Sequence, residues 1–261
     1  MRSDTPTRPN TAMPISHHSH SGEFCKHATG SLTDSVAAAI ARKFHTYGLS
    51  EHVPRYRLQD LYPEEIQASM SLHHLASQFD GFVAKAHVLK SAYADQIVLL
   101  VGLETEYITD LDLDRLDSLL HRLGDKIQYI VGSVHHVNAI PIDFDIQTHQ
   151  KAIDSFANGG GADEDQARGA FLESYFDAQY ELMQRFQPEI IGHVDLCRLY
   201  TPELRFADYP RALEKLRRNI KFAVDYGALF EVNAAAFRKN WKTAYPGRDV
   251  LEASAFLFRR G

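Results

Sequence analysis

Residues 97–104 read Ile97-Val98-Leu99-Leu100-Val101-Gly102-Leu103-Glu104, an almost unbroken apolar run closed by a carboxylate. A strand with one wet face alternates polar and apolar side chains. A continuous run belongs to a strand covered on both faces, as in a parallel sheet flanked by helices. The flanking sequence repeats this unit. Met13 to Ser16, Thr46 to Ser50, Gln128 to Val134, Glu189 to Val194 and Ala228 to Asn233 read as further short strands. Helical periodicity fills the gaps. Thr33 to Phe44 sets Val36, Ile40 and Phe44 on one face, with Thr33 as the expected N-cap. Pro63 to Ala92 reads as one long helical stretch with Gly81 as its break. Asp112 to Leu123 groups Leu116, Leu119, Leu120 and Leu123, and Gly124 follows where a helix commonly ends. Residues 147–157 and 163–187 are helical, separated by Asn158-Gly159-Gly160-Gly161, and Pro210 to Tyr226 turns Leu213, Leu216, Ile220 and Val224 inward. Six strands alternating with helices predict an α/β fold with a parallel sheet, open or closed. No GxGxxG or Walker pattern follows any strand, which weighs against the nucleotide-binding forms of the open sheet.

The bulk composition narrows the function. The chain has 261 residues, 44% of them hydrophobic and 24% charged, enough apolar material for a sizeable core. A net charge of −6 argues against a nucleic-acid binder led by phosphate contacts. No apolar run approaches the ~18 residues a membrane span requires. Cys25 and Cys197 are far apart and form no CxxC pair, so a reducing, cytoplasmic setting is expected. The fourteen histidines are the outlier. Ordinary usage would supply roughly six in a chain of this length.

Their placement carries the chemistry. His18 and His20 follow the first strand, Glu51 and His52 the second, and Glu104 the third. His135 and His136 follow the fourth, His193 and Asp195 close the fifth, and Asn233 ends the sixth. In a barrel of parallel strands these ends open on one face, where the active sites of such barrels sit. Side chains of an extended His-x-His point the same way, so His18 and His20 can share a metal. Imidazoles suit zinc, manganese and iron, and a carboxylate such as Glu104 can bridge two cations. An isolated His-x-His is ordinarily a surface pair; six segments converging is what makes this one a site. His136 points away from His135 and reads as packed or supporting, and Glu106 as a supporting carboxylate. His73, His74, His87, His121 and His149 lie in helical stretches and read as surface or packing residues. Cys25 reads as a small buried residue.

The segment His17-His18-Ser19-His20-Ser21-Gly22-Glu23-Phe24-Cys25-Lys26-His27-Ala28 resembles the opening motif of the PHP (polymerase and histidinol phosphatase) superfamily. The resemblance is narrower in the monofunctional histidinol-phosphatase branch of fungal type. It continues through residues 44–55, Gly102-Leu103-Glu104, residues 131–145 with their GSVHHVNxIPIDFD pattern, Gly192-His193-Val194-Asp195-Leu196 and Phe230-Glu231-Val232-Asn233. It implies a distorted (β/α)7 TIM-like barrel holding two to three divalent ions of zinc, manganese or iron. It implies His18, His20 and Glu104 as ligands of one ion. His27, His52, His135 and His193 are then the remaining histidine ligands, with Glu104 bridging. The catalytic set is then His18, His20, Glu104, His135 and His193. The implied substrate is a small molecule, L-histidinol phosphate, in the penultimate stage of histidine biosynthesis, handled by a monomer or homodimer without nucleic acid or membrane. Arg198 and Arg238 are placed to hold its phosphate.

The family closes its site with an Asp-x-His pair on the last strand, and no such pair follows Asn233 here. The expectation is therefore a disordered extension over 1–12, a PHP phosphatase domain over 13–246 lacking its last strand, and an atypical tail over 247–261. A truncated, frame-shifted or spliced product is the corresponding expectation for the gene. Two other readings stay open. One is an inactive metal-binding remnant; the other is a PHP phosphoesterase or nuclease of different specificity.

Overall fold

The computed structural model describes residues 14–157 and 163–252; Met13, residues 1–12, the Asn158–Gly161 break and the end of the tail lie outside them. Six strands form one parallel sheet in the order β1 (Ile15–Ser16), β2 (Thr46–His52), β3 (Val98–Glu104), β4 (Tyr129–Gly132), β7 (Ile190–Ile191) and β8 (Leu229–Phe230). A small antiparallel hairpin, β5 (His136–Val137) and β6 (Ile140–Pro141), leaves the sheet after β4 and was not expected from sequence. The sheet keeps β1 and β8 as edges. It nonetheless curls far enough that His18, just past β1, reaches Glu231, just past β8, at 2.9 Å. The architecture is a distorted α/β barrel in which, among the described residues, the seventh, closing strand is absent.

Side-chain parity along the strands builds the mouth of this half-barrel. On β3, Leu99, Val101 and Leu103 face outward into a core shared with the helices, where each is almost fully buried. Leu100, Gly102 and Glu104 then share the inner face. The inner face is filled by Tyr129, Val131 and Ile190, with Leu100 against them. A side chain at Gly102, or at Gly48 on β2, would collide with the Tyr129 ring, so glycine at both positions makes room for it. Tyr129 in turn donates to the carbonyl of His17 at 2.6 Å, tying the interior to the loop after β1.

The helices follow their apolar spacing, with shifted ends. Helix α1 spans Leu32–Ala41, and its cap is Ser31 rather than Thr33, because Ser31 and Asp34 satisfy each other's backbone N–H groups. The long stretch breaks between α2 (Pro63–Gln67) and α3 (Leu72–Ala92), not at Gly81. Ser71 supplies a strong N-cap there, while Gly81 sits inside a well-packed helix that tolerates it. Helix α4 (Asp110–Leu123) buries Leu113, Leu116, Leu119 and Leu123. Helices α5 (Ile146–Asp154), α6 (Glu164–Phe186) and α7 (Pro210–Tyr226) form the second half of the outer layer. Helix α7 opens on Pro210 at its first turn and stops at Gly227, whose φ of 93° suits glycine. A short α8 (Ala235–Arg238) follows β8, and Trp241, Tyr245 and Val250 pack behind it into the second core. No described helix is long and apolar enough to cross a membrane.

Candidate metal centre

Glu104 is the hub. It is 1% exposed at the end of β3, and five imidazoles surround its carboxylate. On Oε2 lie His18 Nε2 at 3.2 Å, His20 Nε2 at 3.1 Å and His52 Nδ1 at 3.1 Å. On Oε1 lie His135 Nε2 and His193 Nε2, both at 3.3 Å. Each oxygen therefore addresses its own set of histidines. The two sets come from different strand ends: β1 and β2 on one side, β4 and β7 on the other. His52 is the register partner of Glu104 across the β2–β3 ladder, so strand pairing alone places that contact.

A second tier of carboxylates orients the rings. Glu231 Oε1 accepts from His18 Nδ1 at 2.9 Å, Glu51 Oε2 from His20 Nδ1 at 3.2 Å, and Glu106 Oε1 from His135 Nδ1 at 3.2 Å. In each case the carboxylate fixes the Nδ1–H tautomer and turns Nε2 inward with its lone pair free, the arrangement usual for metal-binding histidine. Glu106 also accepts from His136 Nδ1 at 3.1 Å and from the Tyr62 hydroxyl. Glu51 holds the Ser21 backbone N–H and hydroxyl, both at 2.8 Å. Glu231 accepts the His193 backbone N–H at 3.0 Å and the Asn233 amide at 2.9 Å. The supporting roles of Glu231 and Tyr62 were not read from sequence. Phe230-Glu231 continues β8, and the parity of a two-residue strand is too short a signal to say where the next side chain points. Tyr62 lies outside any strand, before α2.

The donor set fits divalent ions. Among the described residues, four groups of three donors have atoms within 4.8 Å of one another: His18, His20 and Glu104; Glu104, His135 and His193; His52, Glu106 and His135; and His20, Cys25 and His52. His18 and His20 bring their Nε2 atoms to 3.1 Å, and His135 and His193 theirs to 3.3 Å. Two imidazoles on a tetrahedral ion with bonds of 2.0–2.1 Å would stand about 3.3 Å apart. Facing lone pairs at that separation repel unless a proton or a cation lies between them. The buried Glu104 Oε2 and His52 Nδ1 have no hydrogen-bond partner, as expected of ligand atoms. Without an ion, charge pairing dominates. Burial by itself would lower the His18 pKa, but Glu104 and Glu231 outweigh it and hold the ring up at about 10. Burial would raise Glu231, yet His18 pulls it down to about 2. Glu104 is likewise held well below the ordinary range against its burial by His18, His52 and His135.

Of the histidines expected as ligands, five strand ends gather His18, His20, His52, His135 and His193 around Glu104. His27 stands at the exposed rim, its ring centroid 5.4 Å from that of His52 and 5.9 Å from that of His20, with its Nε2 3.1 Å from Cys25 Sγ. Of the two arginines expected to hold the phosphate, one is buried and engaged and the other is exposed. Arg198 is 2% exposed, and all its donors are engaged: Nε and Nη2 with Asp195, Nη1 and Nη2 with Asp249, and Nη1 with the Leu204 carbonyl. Arg238 is exposed at the end of α8, near Tyr245. His136 packs on Glu106 as expected, and His149 is buried against Phe171 and Tyr200.

A curled parallel α/β sheet with histidines and carboxylates from successive strand ends meeting on one glutamate defines a metal-centre barrel of PHP type. The PHP domain family profile matches residues 16–235, and the chain belongs to that family. Within it the chain stands in the histidinol-phosphatase branch. It is 46% identical over 243 residues to the probable histidinol-phosphatase of Schizosaccharomyces pombe, covering 92% of this chain and 76% of the relative. It is 32% identical over 265 residues to the histidinol-phosphatase of Saccharomyces cerevisiae, covering 90% and 77%. The solved structure of the hisK histidinol-phosphatase candidate of Listeria monocytogenes superposes with a TM-score of 0.73, at 22% identity and 94% and 92% coverage, which shows the shared fold.

Proposed function

We propose that this chain is a metal-dependent phosphomonoesterase that hydrolyses L-histidinol phosphate to L-histidinol and phosphate. The observation carrying this reading is the convergence of five imidazoles on the two oxygens of Glu104 in a chain similar to fungal histidinol-phosphatases. Two to three ions of zinc, manganese or iron are the proposed complement. His18, His20 and His52 serve the Oε2 side, His135 and His193 the Oε1 side, and His27 the rim. Such ions, when bound, activate water and neutralise phosphoryl charge. The protein's part is positioning. Glu231, Glu51 and Glu106 lock the rings, and Tyr129, Val131 and Ile190 fill the inner face of the sheet. Arg238 is the proposed phosphate contact from the rim. Arg198 can take that role only by releasing Asp249, whose side chain is 38% exposed. Monoester hydrolysis needs ~20 kcal/mol or more of barrier lowering, which such charge and positioning must share.

The test is phosphate release from L-histidinol phosphate by metal-loaded protein, with and without chelator. Chelator-sensitive release supports the reading, and its absence from folded, metal-loaded protein overturns it. The second reading is a metal-binding protein without turnover, in which the histidines and carboxylates gathered around Glu104 hold an ion but release no phosphate. Stoichiometric metal binding without phosphate release would select that alternative.

A further inference from the structure

Beside the metal centre stands a carboxylate with nothing to hold. Asp143 lies between β6 and α5, in the stretch Pro141-Ile142-Asp143-Phe144-Asp145. Its side chain is partly buried, and its Oδ1 is shut off from solvent without a hydrogen-bond partner. No described lysine or arginine pairs with it, whereas Glu51, Glu106 and Glu231 each accept from a histidine ring, and Glu104 has histidine nitrogens close to both of its oxygens. A carboxylate oxygen drawn from water without a partner is costly. Such a group persists where a ligand supplies the missing charge.

Its surroundings say which ligand. The charge of Asp143 is felt by His27 and Tyr62, which belong to the metal site, and by Tyr200, Tyr245 and His149. The Tyr200 hydroxyl donates to the Asp143 carbonyl at 3.2 Å, fixing the backbone at this point. The next residue, Phe144, sets its ring edge-on to Tyr62 at 5.0 Å and to His136 at 6.2 Å, so the segment is packed against the supports of the metal centre. The carboxylate thus stands at the aromatic rim of the site, one residue from a ring anchored on Tyr62. A carboxylate oxygen without a partner at such a rim recognises a primary ammonium group through a charge-assisted hydrogen bond.

We propose that Asp143 is a specificity-determining residue that binds the ammonium group of the substrate while its phosphate lies on the metal centre. The inference rests on the reading of this site as a histidinol-phosphate phosphatase, since that ester carries an ammonium on the carbon next to the phosphorylated one. Asp143 selects amino-alkyl phosphates over phosphate esters of the same shape without the amino group.

The experiment compares L-histidinol phosphate with imidazolylpropyl phosphate, the same ester lacking the amino group, on the wild type, Asp143→Asn and Asp143→Glu. For Asp143→Asn, kcat/KM on L-histidinol phosphate should fall about 10–100-fold, mostly through KM, with less than about a twofold change on the desamino ester. Asp143→Glu, which keeps the charge, should recover part of the preference. Bound metal should be the same in all three. An equal loss on both esters, a loss of bound metal, or no loss on either overturns the proposal. Calorimetric binding of L-histidinol separates this inference from the one beneath it. If the wild type hydrolyses neither ester, L-histidinol binding that Asp143→Asn weakens still supports the carboxylate's role, and binding indifferent to that change refutes it.

Discussion

The two halves of the sheet hold their ligands by different means. In the first half, β2 and β3 pair over seven residues, from Thr46 with Val98 to His52 with Glu104, and the ladder itself delivers two metal-site side chains in register. In the second half, β7 meets β4 and β8 through two residues each. There the helices do the holding. Helix α6 packs along α7, and Asn219 reaches across to the Phe176 carbonyl at 2.7 Å. Gln179 donates to the Val194 carbonyl at 3.0 Å, right beside His193. Side chains also replace missing ladder bonds: Glu231 ties His193 and His18 together, and Arg198 clamps Asp195. A metal centre shared by both halves is therefore only as rigid as its weaker half.

The largest effect should come from the residue both halves share. Glu104→Gln removes the charge that faces all five imidazoles, and phosphate release should fall by at least about 10³-fold, with loss of bound metal by elemental analysis. Retained metal with only a small loss of rate would mean the two histidine sets are independent sites. Glu231→Gln should come next, because its bond to His18 joins the two edges of the sheet at the mouth. Metal affinity measured by chelator competition should weaken about 10–100-fold, the usual effect of removing a carboxylate behind a ligand histidine.

The same pair gives the metal-free protein a pH signature. The Glu231 pKa is lowered from 4.5 to about 2, so its contribution is present above 4.5 and is lost as pH falls toward 2. The His18 pKa is raised from 6.5 to about 10, so its contribution is complete below 6.5 and is lost as pH rises toward 10. The metal-free wild type should be stabilised by this pair most between pH 4.5 and 6.5, and thermal melts should show that maximum flattened in Glu231→Gln. An unchanged profile would show that the pair does not bridge the edges in solution.

The first half was also the legible half. The apolar run ending in Glu104, the His-x-His after β1 and the Ser50-Glu51-His52 segment could be placed because long strands carry parity. The second half hides its logic. Strands of two residues carry no parity, so Glu231 went unnoticed beside Asn233 even though it makes the closer contact. Arg198 looked free because Asp249, which engages it, is distant in sequence and lies in a stretch without family likeness. The capping error at Thr33 has the same origin on a smaller scale: Ser31 and Asp34 decide the helix start through a reciprocal pair that apolar spacing does not register. Pattern reaches as far as local periodicity does; contacts bridging distant segments must be seen.

Core truncations should separate the halves by where they loosen. Leu49 and Leu216 are both fully buried, one on β2 and the other on α7. Changing either to alanine should cost about 2–5 kcal/mol in denaturant melts. Hydrogen exchange should distinguish them: Leu216→Ala should release amides of β7 and β8 first, while Leu49→Ala should lower protection throughout, since the β2–β3 ladder opens only with the whole fold. Equal, global loss in both would erase the contrast between the halves.

The smallest effect tests the second half at its outer clamp. Asp249 binds Arg198 at 2.7 Å from a side chain 38% exposed, whereas Asp195 binds the same guanidinium fully buried. An ion pair open to water on one side contributes little, so Asp249→Ala should cost about 1 kcal/mol or less. It also frees donors on Nη1 and Nη2 of Arg198, while Asp195 keeps the rest of the guanidinium in place. If Arg198 can serve a phosphate, inorganic phosphate should inhibit Asp249→Ala more tightly than the wild type. If Arg198 only braces the turn after β7, phosphate inhibition should be the same in both, and the second half owes this arginine to structure alone.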